Sequence, residues 1–197
     1  MRKLIFSLLG IAFALSISGD SLAQTQTLPA TPSHVPRGAA TDISNSEIEA
    51  LLRKMATERV GDQAIRIVSV NDEYNIAMGI VSRLKTTPKE IPSAIEHSRI
   101  TEIYHVISGT GTLVTGGVLQ DAREVPSNDE VVTIFNGPST EGSSIQNGVS
   151  RKIGPGDVVI IPPNTPHWFS EIPTDKIVYL VVRVDPQKVL PVGYTPK

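Results

Sequence analysis

The sequence has no cysteine, so neither a disulfide framework nor a thiolate metal site is available to it. Aromatic residues make up 5% of the chain, and there is one tryptophan, Trp168. No excess of positive charge is present: the formal net charge is -2, which argues against a nucleic-acid partner. Only one long apolar run occurs, Leu4 to Ile17, and it is short for a membrane span. No serine–histidine–aspartate arrangement, phosphate-binding glycine loop or dinucleotide fingerprint is found. Gly109-Thr-Gly111 lies between two strand-like runs and reads as a hairpin turn.

What the sequence does contain begins with an export signal. Arg2 and Lys3 precede the apolar run, and Ser21-Leu22-Ala23 supplies small residues for cleavage before Gln24. Residues 1–23 are therefore expected to be a signal peptide. The mature protein, with a charge of about -3, would be periplasmic or secreted and without a stable membrane anchor. Residues 24–42, rich in proline, threonine and alanine, read as a flexible linker, and His34 within it as a solvated residue.

One helix is expected over residues 43–61. Ser44 or Ser46 can cap it, Glu47 or Glu49 can complete a capping box, and Ile48, Leu51, Leu52 and Met55 form one apolar stripe. Gly61 is the expected stop. The stripe would dock on the outside of the domain or on a partner subunit.

From Gln63 the hydrophobic period changes to two. Ile65 and Ile67 are expected on one face of a first strand, and Ile76, Met78, Ile80 and Ser82 on one face of a second. Turn residues then separate about eight to ten short strands, with a long, partly irregular connection at Val118 to Val132 and a turn region at Asn136 to Gly142. Such a series makes an all-β sandwich or barrel over residues 62–186, followed by a tail over residues 187–197.

Two stretches hold three of the four histidines: His97-Ser-Arg-Ile-Thr-Glu102-Ile-Tyr-His105-Val-Ile-Ser-Gly109 and Gly156-Asp-Val-Val-Ile-Ile-Pro162-Pro-Asn-Thr-Pro-His167. Two imidazoles and a carboxylate on a rigid barrel are a competent donor set for a divalent first-row metal with open positions. Iron, manganese and zinc are not separated by donor type. Strand alternation from Glu102 places Tyr104 on the same face and His105 on the other unless a bulge intervenes. The same rule sends Trp168 away from His167 and brings Phe169 back. Tyr104, His105 and Phe169 are the candidate pocket residues. Arg99, beside the site, reads as a solvated loop charge or as a guide for an anionic ligand.

These stretches resemble the two motifs of the cupin superfamily, the first in its germin-like form and the barrel of the conserved cupin 2 type. In the first pattern, G-x5-H-x-H-x4-E-x6-G, the second histidine falls on His97, the carboxylate on Glu102 and the last glycine on Gly109. In the second, G-x5-P-x-G-x2-H-x3-N, Gly156, Pro162 and His167 match. The resemblance implies a single jelly-roll barrel with one N-terminal α-helix, in an exported bacterial protein that forms a homodimer. It also implies one divalent metal held by His97, Glu102 and His167. The first histidine of the pair is replaced by Ile95, the opening glycine by Lys89, the second motif's glycine by Asn164 and its asparagine by Glu171. Asparagine tolerates a left-handed backbone; isoleucine does not bind a metal.

Three readings stay open. One is a metal-dependent oxidoreductase, isomerase or lyase acting on a small oxygenated molecule. Another is a non-catalytic barrel binding a small molecule or carbohydrate, with a degenerate site and no metal. A structural or interaction protein is a third.

Overall fold

The computed structural model describes residues 40–87 and 93–196. The expected signal peptide, most of the linker, His34 and Lys89 lie outside the described residues. Among the described residues no helix is long and apolar enough to cross a membrane.

Helix α1 runs over Asn45–Lys54. Ser44 caps it, its Oγ accepting from Glu47 N at 3.3 Å, and Arg53 and Lys54 lie in the last turn, where cations suit the helix dipole. The helix ends well before Gly61. That glycine belongs to the first strand, where a Cβ would meet Met55 at 2.8 Å, so its role is to let the Met55 side chain lie on the strand.

The strands are β1 (Val60–Val70), β2 (Tyr74–Leu84), β3 (Ala94–His97), β4 (Thr101–Ser108), β5 (Gly111–Thr115), β6 (Val118–Gln120), β7 (Arg123–Glu124), β8 (Ser139–Gly142), β9 (Ser144–Gln146), β10 (Val149–Ile153), β11 (Val158–Ile161), β12 (His167–Glu171) and β13 (Lys176–Asp185). One sheet has the order β1-β2-β13-β4-β11, the other β10-β5-β12-β3-β8-β7, and β6 and β9 form a separate ribbon. Every pairing is antiparallel. The two large sheets close on a shared core that includes Tyr104, Leu113, Val159, Phe169, Tyr179 and Val181. This is the expected all-β jelly-roll barrel with one N-terminal helix.

The helix covers part of the outer face of the five-stranded sheet, whereas outward residues of β4 and β11 such as Val158 and Ile160 are exposed. Leu51 and Met55 of α1 pack on Ile65, Ile80 and Val178 from outside, and Arg66 pairs with Glu47 of the helix at 2.7 Å. The helix stripe thus docks on the outside of its own barrel. A register shift between Ala64 and Arg66 breaks the alternation of β1. Ile65 consequently packs under the helix, whereas Ile67 joins Ala77, Ile100 and Leu190 in a different cluster. The expectation that Ile65 and Ile67 share a face fails because a bulge adds one residue to the period.

More strands form than were expected, since short segments acquire ladders only from distant partners. Ser139–Gly142, read from sequence as a turn, is β8 and pairs with β3. The connection after β5 contains β6 and β7, and a π-helical segment follows at Val131–Asn136. The tail beyond β13 folds back on the barrel: Asp185 accepts from Val189 N and Leu190 N, and Gln63 donates to Tyr194 Oη at 2.9 Å.

Candidate metal centre

His97 ends β3, Glu102 begins β4 and His167 begins β12, so the three side chains arise where strands of both sheets enter the barrel. Two backbone features hold these strand ends together. Asn164 adopts φ 57°, the left-handed conformation that asparagine accepts more readily than other non-glycine residues. Its N–H donates to His97 O at 2.8 Å, joining the loop before His167 to the loop after His97.

The donor atoms of His97, Glu102 and His167 lie within 4.8 Å of one another, and all three residues are buried. His97 Nε2 is 3.5 Å and His167 Nε2 3.2 Å from Glu102 Oε2. The opposite nitrogens identify the tautomers. Ser139 Oγ donates to Gly137 O at 2.8 Å, which leaves its lone pair for His97 Nδ1–H, also at 2.8 Å. His167 Nδ1 lies 3.0 Å from Thr165 O, a carbonyl that can only accept. Both Nδ1 atoms therefore donate, and both Nε2 atoms turn lone pairs toward a carboxylate. With both rings neutral, two nitrogen lone pairs and a carboxylate face one another, an arrangement that can accept a cation at its centre. Imidazoles oriented by a hydrogen bond from the far nitrogen are the usual preparation for binding a metal. The residues present fit a divalent metal.

The electrostatics agree. Burial resists ionisation of Glu102, but His97, His167 and Arg183 outweigh it and hold the carboxyl well below the usual carboxylate range. Burial is the largest influence on His97 and pushes its pKa down, against the pull of Glu102. A His97 ring that burial disposes to the neutral form, beside an ionised carboxylate, suits a metal, whose ligands must be deprotonated. Tyr104 donates to Glu102 Oε2 at 2.9 Å. Burial and then the Glu102 charge push its hydroxyl well above the usual tyrosine range, so it stays protonated.

The other Glu102 oxygen was not anticipated to have a partner. Arg183 Nε donates to Glu102 Oε1 at 3.0 Å, and Arg183 Nη2 donates to Asp62 Oδ2 at 2.5 Å. Arg183 is 1% exposed. Gly79, facing it from β2, leaves room for the guanidinium: a Cβ there would meet Nη1 at 3.0 Å. The available sequence signal was parity along β13, where Tyr179, Val181, Arg183 and Asp185 alternate with half-exposed residues and so share the inner face.

Ile95 stands directly across the ladder from His167. It lines the same cavity, so the place of a fourth ligand is filled by an alkyl group. Tyr104 and Phe169 face the interior and line the cavity. His105 does not. Alternation along β4 puts it on the outer face, where it is exposed, and no bulge falls between it and Glu102, so the expectation that it lines the pocket fails. Arg99 is exposed and is not a lining residue. The cavity has a volume of about 740 Å³, within the range of small-molecule sites. Val131, Phe135 and Asn136 of the π-helical segment close part of its wall.

The family profile described as Cupin matches residues 57–194. No curated protein matches significantly. Among solved structures, the chain is similar to BH2720 from Bacillus halodurans, with 14% identity, TM-score 0.45 and coverage of 82% of this chain and 89% of that one. It is similar to the DMSP lyase DddQ from Ruegeria pomeroyi DSS-3, with 14% identity, TM-score 0.41 and coverage of 71% and 54%. It is also similar to peruvianin-I, a cysteine peptidase from Thevetia peruviana latex, with 11% identity, TM-score 0.38 and coverage of 66% and 64%. The chain thus spans less than two thirds of the length of the last two.

Proposed function

The chain belongs to the cupin family, and on that premise we propose that its barrel holds one divalent metal through His97, Glu102 and His167 and acts on a small oxygenated molecule. One observation carries the proposal: both histidines are oriented through Nδ1 so that their Nε2 lone pairs converge on the Glu102 carboxylate. A purely structural cluster would place a donor between such acceptors. When bound, a divalent metal of this kind supplies Lewis acidity or a site for small oxygen ligands.

The chain's own residues do the rest. Arg183 and Tyr104 hold the Glu102 carboxylate ionised and aimed. Ser139 and the Thr165 carbonyl fix the imidazole tautomers. Ile95, Phe169 and Ile172 present apolar surface to the cavity, which restricts water and strengthens every polar contact inside. Oxidation, isomerisation and lyase chemistry are the reaction classes this arrangement serves.

The test is elemental analysis of the protein purified without a metal-binding tag, beside His167→Ala. One metal ion per chain in the parent, lost in the variant, supports the reading. A parent that takes up no iron, manganese or zinc on reloading refutes it. A second reading, a metal-free binding barrel, is favoured by Ile95 at the fourth ligand position, and that negative result would select it. Export through residues 1–23 is a separate part of the proposal, and sequencing the mature N-terminus checks it by the presence of Gln24 at the first position.

A further inference from the structure

Arg83 lines the cavity with Arg59 and Arg183, and it differs from Arg183 in one respect. Arg183 is neutralised by Glu102 and Asp62. Among the described residues no carboxylate lies within ion-pair distance of Arg83. Its Nε donates to Tyr179 Oη at 3.1 Å, and its guanidinium carbon stands 5.8 Å from the centre of the Phe169 ring. Its two Nη groups make no hydrogen bond to a described residue. They form the end of the guanidinium fork, the part that takes an oxyanion with two parallel hydrogen bonds.

The direction of this unneutralised charge is set by the wall behind it. Tyr179 packs against Tyr104 with ring centres 4.4 Å apart and planes tilted by 36°, and Tyr104 donates to Glu102. Arg83 and the three donor residues thus line one cavity and are linked by a pair of tyrosines. A cation kept among aromatic rings with no carboxylate of a described residue in contact with it is costly to the empty protein and favourable to an anion that fills the place. Exposed carboxylates also line the cavity, at Glu58, Asp129 and Glu130. They would repel a polyanion while leaving a single negative charge attractive to Arg83.

We propose that the cavity takes a small monocarboxylate carrying a second oxygen, with the carboxylate on the Arg83 fork and the second oxygen toward His97, Glu102 and His167. This rests on the metal reading above for the second contact, whereas the Arg83 contact stands without it.

The experiment uses the full chain reconstituted with Mn(II), its metal content measured in every sample. The probes are lactate, 3-hydroxybutyrate and mandelate, each paired with its neutral carboxamide, and binding is read by titration calorimetry. In the parent, at least one acid should bind ten times more tightly than its amide or better. Arg83→Met should reduce that ratio below threefold with Mn(II) content unchanged, and Arg83→Lys should restore part of it. Acids and amides that bind alike in the parent, or fail to bind at all, overturn the proposal, as does an acid preference that survives in Arg83→Met. A parent that binds no Mn(II) refutes the metal reading instead; the same acid–amide comparison on the metal-free protein then decides the Arg83 contact alone.

Discussion

Replacing Arg183 by methionine tests how the centre is held together before any metal arrives. Arg183 is almost fully buried and joins Glu102, itself 2% exposed, to Asp62 on β1. The methionine fills most of the volume but leaves the Glu102 carboxylate with one oxygen unpaired and Asp62 without its cation. Removing one partner of a buried ion pair costs about 3–5 kcal/mol, because the remaining charge stays desolvated. For a domain of this size each kcal/mol lowers Tm by roughly 2–4 °C, so a drop of about 10 °C is expected in the metal-free protein. Urea denaturation and calorimetry at pH 7 would measure it. The double variant Arg183→Met with Glu102→Gln removes the stranded charge and should recover about half of the loss or more. A single-variant loss below about 1 kcal/mol, or strict additivity in the double variant, would refute the account of Glu102 as a carboxylate dependent on Arg183.

Three further outcomes are expected. Glu102 is held below its ordinary range, so its contribution is present above the unfolded pKa and is lost as pH falls through the folded value. His97 is also lowered, so the unfolded chain binds the proton more readily and stability falls as pH drops below about 6.5; the Tm of the metal-free protein should therefore decline from near neutrality downward, and a Tm maximum near pH 5 would contradict this. Ile95→His places a third imidazole, and so a fourth ligand, across from His167 and should tighten metal binding at least tenfold in a chelator competition; equal affinity would mean that position 95 does not reach the centre. Asn164→Gly should be neutral and Asn164→Val should cost about 1–3 kcal/mol in denaturant unfolding, because Asn164 sits at positive φ; equal stability of the two variants would show that the loop does not depend on that conformation.

Local pattern carried much of this protein. Alternation along β4 put Glu102 and Tyr104 on one face and His105 on the other, since side chains on a strand have a period of two whatever the strand pairs with. Motif spacing brought His97, Glu102 and His167 forward as one set, and the apolar stripe of α1 was legible because Ile48, Leu51, Leu52 and Met55 repeat with the helix. Alternation failed at β1, where the bulge before Arg66 separates Ile65 from Ile67, and at β8, whose Ser-Thr-Glu-Gly sequence is a strand only because β3 lies beside it.

What the tertiary structure alone decided are the partners that complete the centre. Arg183 meets Glu102 across 81 residues of sequence, and Ser139 meets His97 across 42. Arg83 and Tyr179, 96 positions apart, are brought together because β13 pairs directly with β2. Ile95 was visible in the sequence as a missing ligand, but its place opposite His167 was not. The sequence by itself determined which side chains share a strand face, because that follows from backbone geometry within a few residues. Which faces meet across the barrel, and so which charges are neutralised and which are left for a ligand, depended on ladders between distant strands, and those exist only in the folded chain.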